Sequence, residues 1–143
     1  MTSATLEPQA ATILVVNTGR ADEPVPPDIV ENDVAHLLRV DGDRALSLLR
    51  RDPFSVTAVI LSGDGESPVT AAALQAIKGA APRIPIVFLD EQLSTASERV
   101  IRQAGVHYYA HIPVNTTEIA SVLTFLAADD NHRPVPMQTG LKP

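Results

Sequence analysis

Runs of consecutive apolar residues, each about the length of a β-strand, alternate along this chain with amphipathic helical patterns. The strongest runs occupy positions 12–17 (TILVVN), 56–61 (VTAVIL) and 84–89 (IPIVFL). Unbroken runs of this kind are typical of strands that are buried on both faces. Weaker runs at 35–40 and 106–110 add two shorter strands. Because a sheet buried on both faces needs helices on each side, the alternation predicts an α/β fold with a parallel sheet.

Helical patterns follow most of these runs, at positions 44–51, 68–80 and 92–104. Asn115 or Thr116 caps a last helix, with Glu118 placed to close a capping box. Gly79 and Gly105 suit the ends of the two preceding helices. Five strands that alternate with helices predict a doubly wound, flavodoxin-like sheet with the strand order 2-1-3-4-5.

The connection between the first two strands, positions 18–34, departs from this pattern. A crossover between parallel strands normally contains a helix, but Pro24, Pro26 and Pro27 disfavour one through the first half of the segment. We therefore predict a degraded or short first helix, running at most from position 27 or 28 to 33. Either the loop packs over the sheet, or it leaves apolar surface for a partner or second subunit to bury.

The two ends differ in composition from the middle of the chain. Positions 1–10 are small and polar, which predicts a disordered lead, and positions 129–143 are rich in proline, which predicts a flexible tail or linker. We expect one folded domain over positions 11–128. The tail is compatible with a natural short end or with a junction to a further domain.

Composition and charge restrict the function. The 143 residues carry a net charge of −6, which argues against non-specific binding of nucleic acid or anionic membrane through a basic surface. The absence of cysteine excludes disulfides and thiolate chemistry. Since no apolar run is long enough to span a bilayer and the N-terminus lacks an export signal, we expect a cytoplasmic protein.

Ligands of open parallel sheets bind outside the carboxyl ends of the strands. Those ends carry Asn17, Thr18, Ser62, Asp90 and Ile112. The segments around them resemble the receiver domains of two-component response regulators over about positions 12–128. They read ILVVNT at 13–18, LLRVDGDRALSLLRR at 37–51, TAVILSGDG at 57–65, IPIVFLD at 84–90 and GVHYYAHIPVNTTEI at 105–119. The last motif has the glycine, aromatic and proline spacing of that family at Gly105, Tyr109 and Pro113.

The resemblance implies a phosphorylation pocket, but this sequence departs from the family at its chemical positions. Asn17 and Thr18 stand where receivers have the acidic pair that holds Mg²⁺, and Ser62 stands where they have the phosphate-accepting aspartate. Asp90 replaces the usual serine or threonine, and Ile112 replaces the lysine before the proline.

The chemistry of these residues predicts an inactive pocket. An amide and a hydroxyl supply no negative charge for Mg²⁺, which prefers carboxylate oxygens. Without the metal and a cation, no group at the pocket neutralises a transferring phosphoryl group. Ser62 has no evident general base, and Asp90 would repel a phosphate. We therefore predict no enzyme activity, no metal and no cofactor.

Three other interpretations of the strand ends stay open. Asp64, Glu66, Asp90 and Glu91 could form a metal site with His111 nearby, although acidic loop residues are more often only solvated. Asp90 and Ser62 could instead hydrogen-bond to each other and hold the pocket in one state, which we favour over catalysis. A flavodoxin-like module that binds a nucleotide or a flavin is the alternative function.

The preferred function is a phosphorylation-independent regulatory domain that binds a protein partner or dimerises. The contact face would be formed by the helix at 92–104, the strand at 106–110 and the last helix, with Arg99, Arg102, Tyr109 and His111 as candidate contact residues. The run VILSGDG, the lost acidic pocket and the trailing linker are similar to the N-terminal domains of some NtrC-type enhancer-binding transcription activators. That similarity implies a role in transcription control and a C-terminal output domain.

Overall fold

Five parallel strands form a single sheet in the computed structural model, which describes residues 11–20 and 35–129. Their order is β2-β1-β3-β4-β5, as predicted, which confirms the flavodoxin-like arrangement. The strands are β1 Ala11–Asn17, β2 Ala35–Val40, β3 Ala58–Gly63, β4 Ile86–Asp90 and β5 Tyr108–His111. The predicted lead, the predicted first helix and the tail beyond Asp129 lie outside the described residues.

Four α-helices cover the faces of the sheet in the described part of the chain. They are α1 Gly42–Arg51, α2 Pro68–Ala80, α3 Thr95–Gln103 and α4 Thr116–Asp129. A short 3₁₀ helix, Pro53–Ser55, follows α1. No helix among residues 11–20 and 35–129 has the length and apolar character needed to cross a membrane.

The ends of the helices agree with the predicted capping residues, except at Glu118 and Gly79. Asn115 accepts a hydrogen bond from the Glu118 N–H at 2.9 Å and so caps α4, while the Glu118 carboxylate accepts from the Tyr108 hydroxyl instead of closing a capping box. Gly105, with φ of 96°, follows α3 as predicted. Gly79 does not end α2, which continues to Ala80.

The helix predicted from position 92 begins later, at Thr95. Ser94 is its N-cap, because the Ser94 hydroxyl accepts from the Ser97 N–H at 2.9 Å. The residues before it form a turn in which the Gln92 N–H donates to Asp90 at 2.9 Å. This hydrogen bond competes with helix formation at positions 92–94.

Two apolar layers lie on opposite faces of the sheet. One is packed under α1, α2 and α3 and includes Phe88, the largest fully buried side chain. The other lies under α4, whose Ile119, Leu123 and Leu126 are buried against β1, β3 and β4. Every residue of β3 and β4 is buried, as the unbroken apolar runs predict. Burial of each such aliphatic side chain stabilises the fold by about 1.5–3 kcal/mol.

Candidate functional site

The parallel register brings the predicted pocket residues to one edge of the sheet. Asn17 lies opposite Ser62, and Asp90 lies between Gly63 and His111. Ile112 follows directly, and its N–H donates to the Asp90 carbonyl at 2.9 Å. The carboxyl ends of β1, β3, β4 and β5 therefore form one row.

Ser62 and Asn17 form a neutral hydrogen-bonded pair. The Ser62 hydroxyl donates to the Asn17 side-chain oxygen at 3.1 Å and lies 3.5 Å from the Val16 carbonyl. The Gly19 N–H donates to the same Asn17 oxygen at 2.9 Å. Since an amide oxygen and a carbonyl cannot remove a proton at neutral pH, neither acceptor activates Ser62 as a nucleophile.

Thr18 forms its hydrogen bonds with neighbouring residues of the domain. Its N–H and its hydroxyl both donate to the Ser62 carbonyl, at 2.8 and 2.9 Å. The Thr18 hydroxyl also lies 3.0 Å from that of Thr70 on α2. A Cβ atom on Gly63 would lie 2.2 Å from the Thr18 hydroxyl, so this close approach requires glycine at position 63.

Asp90 is fully buried, with 0% of its surface exposed, and accepts four hydrogen bonds. One carboxylate oxygen accepts from the backbone N–H groups of Gly65 and Gln92, each at 2.9 Å. The other accepts from the hydroxyls of Ser97, at 2.6 Å, and Tyr109. The predicted bond between Asp90 and Ser62 is wrong, because each side chain has other partners.

Ser97 is the residue of this cluster that the sequence analysis missed. It is buried on α3, one helical turn before the buried Ile101. Its role is consistent with its position, because a serine on the apolar stripe of a helix needs an acceptor and a buried carboxylate needs donors. The sequence alone did not place the two side chains together.

Tyr109 lies inside the protein, with 7% of its surface exposed. Its ring stacks on Phe88 with centroids 6.1 Å apart and meets the edge of His111 at 5.2 Å. Burial raises the pKa of the Tyr109 hydroxyl, and the hydrogen bond to Asp90 raises it further. The Tyr109 side chain therefore supports the interior of the described domain, and its direct contact with a partner stays a prediction.

The other candidate contact residues differ in exposure. Arg99 and Arg102 are exposed on α3, and Arg102 pairs with Glu98 at 2.7 Å while lying 5.3 Å from the centre of the Tyr109 ring. His111 is half-buried, with its Nδ1 2.8 Å from the Gln92 carbonyl. Leu93 and Val100, which are 78% and 56% exposed, add apolar area.

We call the exposed side chains of Leu93, Arg99, Val100 and Arg102 the α3 surface. Glu98, beside Arg102, borders it. This surface contains both predicted arginines and lies next to the buried Asp90 cluster, which it contacts through the Tyr109 ring.

The acidic residues near the strand ends do not converge. Asp64 accepts from the Glu66 N–H at 2.8 Å, Glu66 accepts from the Ser94 hydroxyl at 2.9 Å, and Glu91 accepts from the Arg20 N–H at 2.7 Å. Within residues 11–20 and 35–129, no three histidine or acidic side chains are grouped as metal ligands. The metal interpretation of this cluster is therefore wrong for the described part of the chain.

Ile112 places an apolar side chain where the resemblance implies an ammonium group. It packs against the layer under α4, beside residues such as Ile119. The peptide bond from Ile112 to Pro113 is cis. Of the five predicted pocket residues, Asn17, Thr18, Ser62 and Ile112 are thus uncharged, and Asp90 is a carboxylate whose described partners are all neutral donors.

Two apolar hollows open at the opposite, amino-terminal edge of the sheet. One is lined by Phe54, Pro82 and Ile84, and the other lies between β5 and α4, beside Tyr108 and Phe125. Neither lies at the carboxyl ends of the strands, where the alternative prediction places a nucleotide or a flavin. That alternative stays a prediction.

The fold and the row of strand ends are similar to those of solved receiver domains. A response regulator from Thermotoga maritima superimposes with a TM-score of 0.68 at 16% identity, over 83% of this chain and 98% of that one. A receiver domain of the sensor histidine kinase PA1611 from Pseudomonas aeruginosa, with magnesium in its active-site cleft, gives 0.60 at 18% identity over 83% and 98%.

A third similar structure is described as the pilus assembly protein CpaE from Burkholderia thailandensis. It has a TM-score of 0.61 at 16% identity, over 82% of this chain and 98% of that one. No family model matches the sequence, and no curated protein does either. This chain therefore has the CheY-like receiver fold, at identities that establish the fold alone.

Proposed function

We propose that this chain is a receiver-like regulatory domain that takes up no phosphoryl group and acts by binding protein. The observation that carries the proposal is the chemistry of the strand ends. Asn17 and Ser62 are bonded to each other, Ile112 replaces a cation, and the carboxylate of Asp90 is occupied by four internal donors. The receiver fold of the similar structures supports a role in signalling.

Phosphoryl transfer needs charge that this edge of the sheet lacks. Mg²⁺ requires an octahedral set of oxygen ligands that usually includes carboxylates, and it neutralises the phosphoryl oxygens in the transition state. Asp90 cannot serve as a ligand without giving up its buried hydrogen bonds, which would leave Ser97 and Tyr109 without an acceptor. Ser62, bonded to an amide, is a weak nucleophile.

Incubation with acetyl phosphate and Mg²⁺, followed by intact mass measurement, tests this part of the proposal. We expect no gain of a phosphoryl group, while a receiver that has the usual acidic residues gains one in the same assay. A stable gain that disappears in Ser62→Ala would overturn the proposal. The variant Asn17→Asp/Ser62→Asp/Ile112→Lys asks whether the missing charges alone account for the inactivity.

The α3 surface is the proposed contact face, and a second copy of the chain is the proposed occupant. Arg99 and Glu98 lie side by side there with the exposed Val100. Two-fold pairing would therefore set Arg99 of one copy against Glu98 of the other, around the apolar side chains of Val100. Opposite charges of this kind set orientation more than affinity.

Light scattering over a range of concentrations tests the contact face. If the face mediates dimerisation, the wild type increases in mass with concentration and Val100→Asp does not. Val69→Asp is the matched control, because Val69 on α2 is 64% exposed and lies outside the α3 surface. A wild type that stays monomeric throughout, or equal effects of both substitutions, would contradict the dimer.

Three further predictions concern the location of the protein, its pathway and the domain that it regulates. A cytoplasmic location is a prediction from the apolar patterning of the sequence, whereas a role in transcription control and an output domain of the NtrC-type activators follow from the sequence resemblance alone. The reading frame after Pro143 tests the last of these directly, since an ATPase domain there would support it and an unrelated domain would count against it.

A further inference from the structure

We propose that the Asp90 carboxylate is a built-in anion that holds Tyr109 inside the protein and thereby fixes the shape of the α3 surface. The inference rests on the proposed function in one respect, namely that this edge of the sheet takes no external phosphoryl group. Asp90 acts as a positioning residue and contacts no ligand.

The surroundings of Asp90 form a cradle for an anion. Its four donors come from four separate segments: Gly65 after β3, Gln92 after β4, Ser97 on α3 and Tyr109 on β5. Hydrogen bonds from N–H and O–H groups favour the charged form of a carboxylate and offset the cost of burying it. A neutral amide would present its NH₂ group to donors and could not satisfy them all.

Tyr109 connects the cradle with the α3 surface. Its hydroxyl donates to Asp90, and the guanidinium of Arg102 lies 5.3 Å from the centre of its ring. Without an acceptor at position 90, the buried hydroxyl would be unsatisfied, which favours rotation of the ring towards water. Arg102 would then lose the aromatic surface on which it rests.

The chain offers a direct spectroscopic probe of this contact. The chain contains two tyrosines and no tryptophan, so Tyr108→Phe leaves Tyr109 as the only source of tyrosine fluorescence. In that background, Asp90→Ala should make Tyr109 accessible to acrylamide, up to the level of a free tyrosine derivative. The ionisation midpoint of Tyr109 should fall towards 10.0, the ordinary pKa of tyrosine.

Formate tests whether the anion itself is what matters. Asp90→Ala leaves a space beside the same four donors, and formate is the smallest carboxylate that could fill it. We expect formate to restore the protection of Tyr109 in a saturable way, whereas chloride at equal ionic strength does not. Asp64→Ala is the matched control, because Asp64 also follows β3 at this edge but its side chain accepts from the nearby Glu66 N–H and takes no part in the Asp90 cluster.

Asp90→Asn keeps the shape of the side chain and decides the question if Asp90→Ala does not fold. Loss of Tyr109 protection in the folded Asn variant supports the proposal. Full protection with an unchanged ionisation midpoint overturns it, since a neutral group would then suffice. Failure of this proposal can be told apart from failure of the phosphorylation test. That test probes Ser62, which shares no hydrogen bond with Asp90.

Discussion

Gly65 allows the Asp90 carboxylate to be buried. Its backbone N–H donates to Asp90, and a Cβ atom at this position would lie 2.0 Å from the Ser97 hydroxyl and 2.5 Å from the Asp90 carboxylate. No side chain fits there unless the cluster opens. The glycine is thus required by the close approach of the backbone to two buried polar groups.

Gly65→Ala should therefore destabilise the protein by about 1–3 kcal/mol, because overpacking forces buried groups apart. Gly79→Ala is the control, since a Cβ atom at Gly79, inside α2, meets no atom within 4 Å. That substitution should stabilise the protein by up to about 1 kcal/mol, because alanine favours the helix. Urea unfolding midpoints measure both, and equal effects would contradict the steric argument.

The edge strand β5 connects the two layers of the molecule through adjacent tyrosines. Strand alternation predicts that Tyr108 and Tyr109 point to opposite faces, and they do. Tyr109 donates to Asp90 on the α3 side, whereas Tyr108 donates to Glu118 at the start of α4. Each tyrosine thus joins this short strand to a carboxylate on a different element.

The ionisation of Tyr108 tests its bond to α4. Burial, with a further contribution from Glu118, raises the pKa of Tyr108 to about 12 from 10.0. The folded state therefore favours the neutral phenol. This contribution to stability is complete below pH 10.0 and is lost as the pH rises through about 12.

Ultraviolet titration of Tyr109→Phe, which retains Tyr108 alone, should give a midpoint near 12. Adding Glu118→Gln should move that midpoint towards 10.0, although burial still keeps it above that value. A midpoint of 10.0 with Glu118 intact would contradict the contact between β5 and α4.

The whole described domain is organised around β3 and β4, two of the three interior strands of the sheet. β3 and β4 are buried along their full length between the two apolar layers, whereas β2 and β5 form the edges of the sheet. Local opening of a protein costs least where few buried contacts are lost. The centre of the sheet should therefore be the last part to open.

Native-state hydrogen exchange measures this order. Among the strand amides, those of β3 and β4 should exchange slowest and near the rate set by global unfolding, and those of β2 and β5 should exchange earlier. Comparison of Leu61 with Leu38 is informative, because Leu61 is fully buried and Leu38 is 37% exposed. Earlier exchange in β3 than in β5 would contradict the central position of that strand.

The fold could be predicted because its signals are local. Runs such as 56–61 and 84–89 require burial on both faces, and the capping residue Asn115 marks the start of α4 within a few positions. The bounds predicted for α2, positions 68–80, are those of the structure, and Gly79 lies one residue inside the end of the helix.

The candidate site could be predicted only in part. The identities of Asn17, Ser62 and Ile112 define what chemistry is missing, and the parallel direction of the strands brings them to one edge. The partners of Asp90 were not predictable, because Gly65, Ser97 and Tyr109 are distant along the chain. The hydrogen bond that holds the Tyr109 hydroxyl inside could therefore not be predicted either.

The amino-acid sequence by itself determined the alternation of strands and helices and the loss of charged groups from the pocket, because apolar periodicity and side-chain chemistry belong to each residue wherever it lies. Only the tertiary structure decided that the remaining carboxylate is internal and that a tyrosine turns inwards to meet it. The physical reason is that a buried charge takes its partners from whichever segments the fold brings within hydrogen-bonding distance.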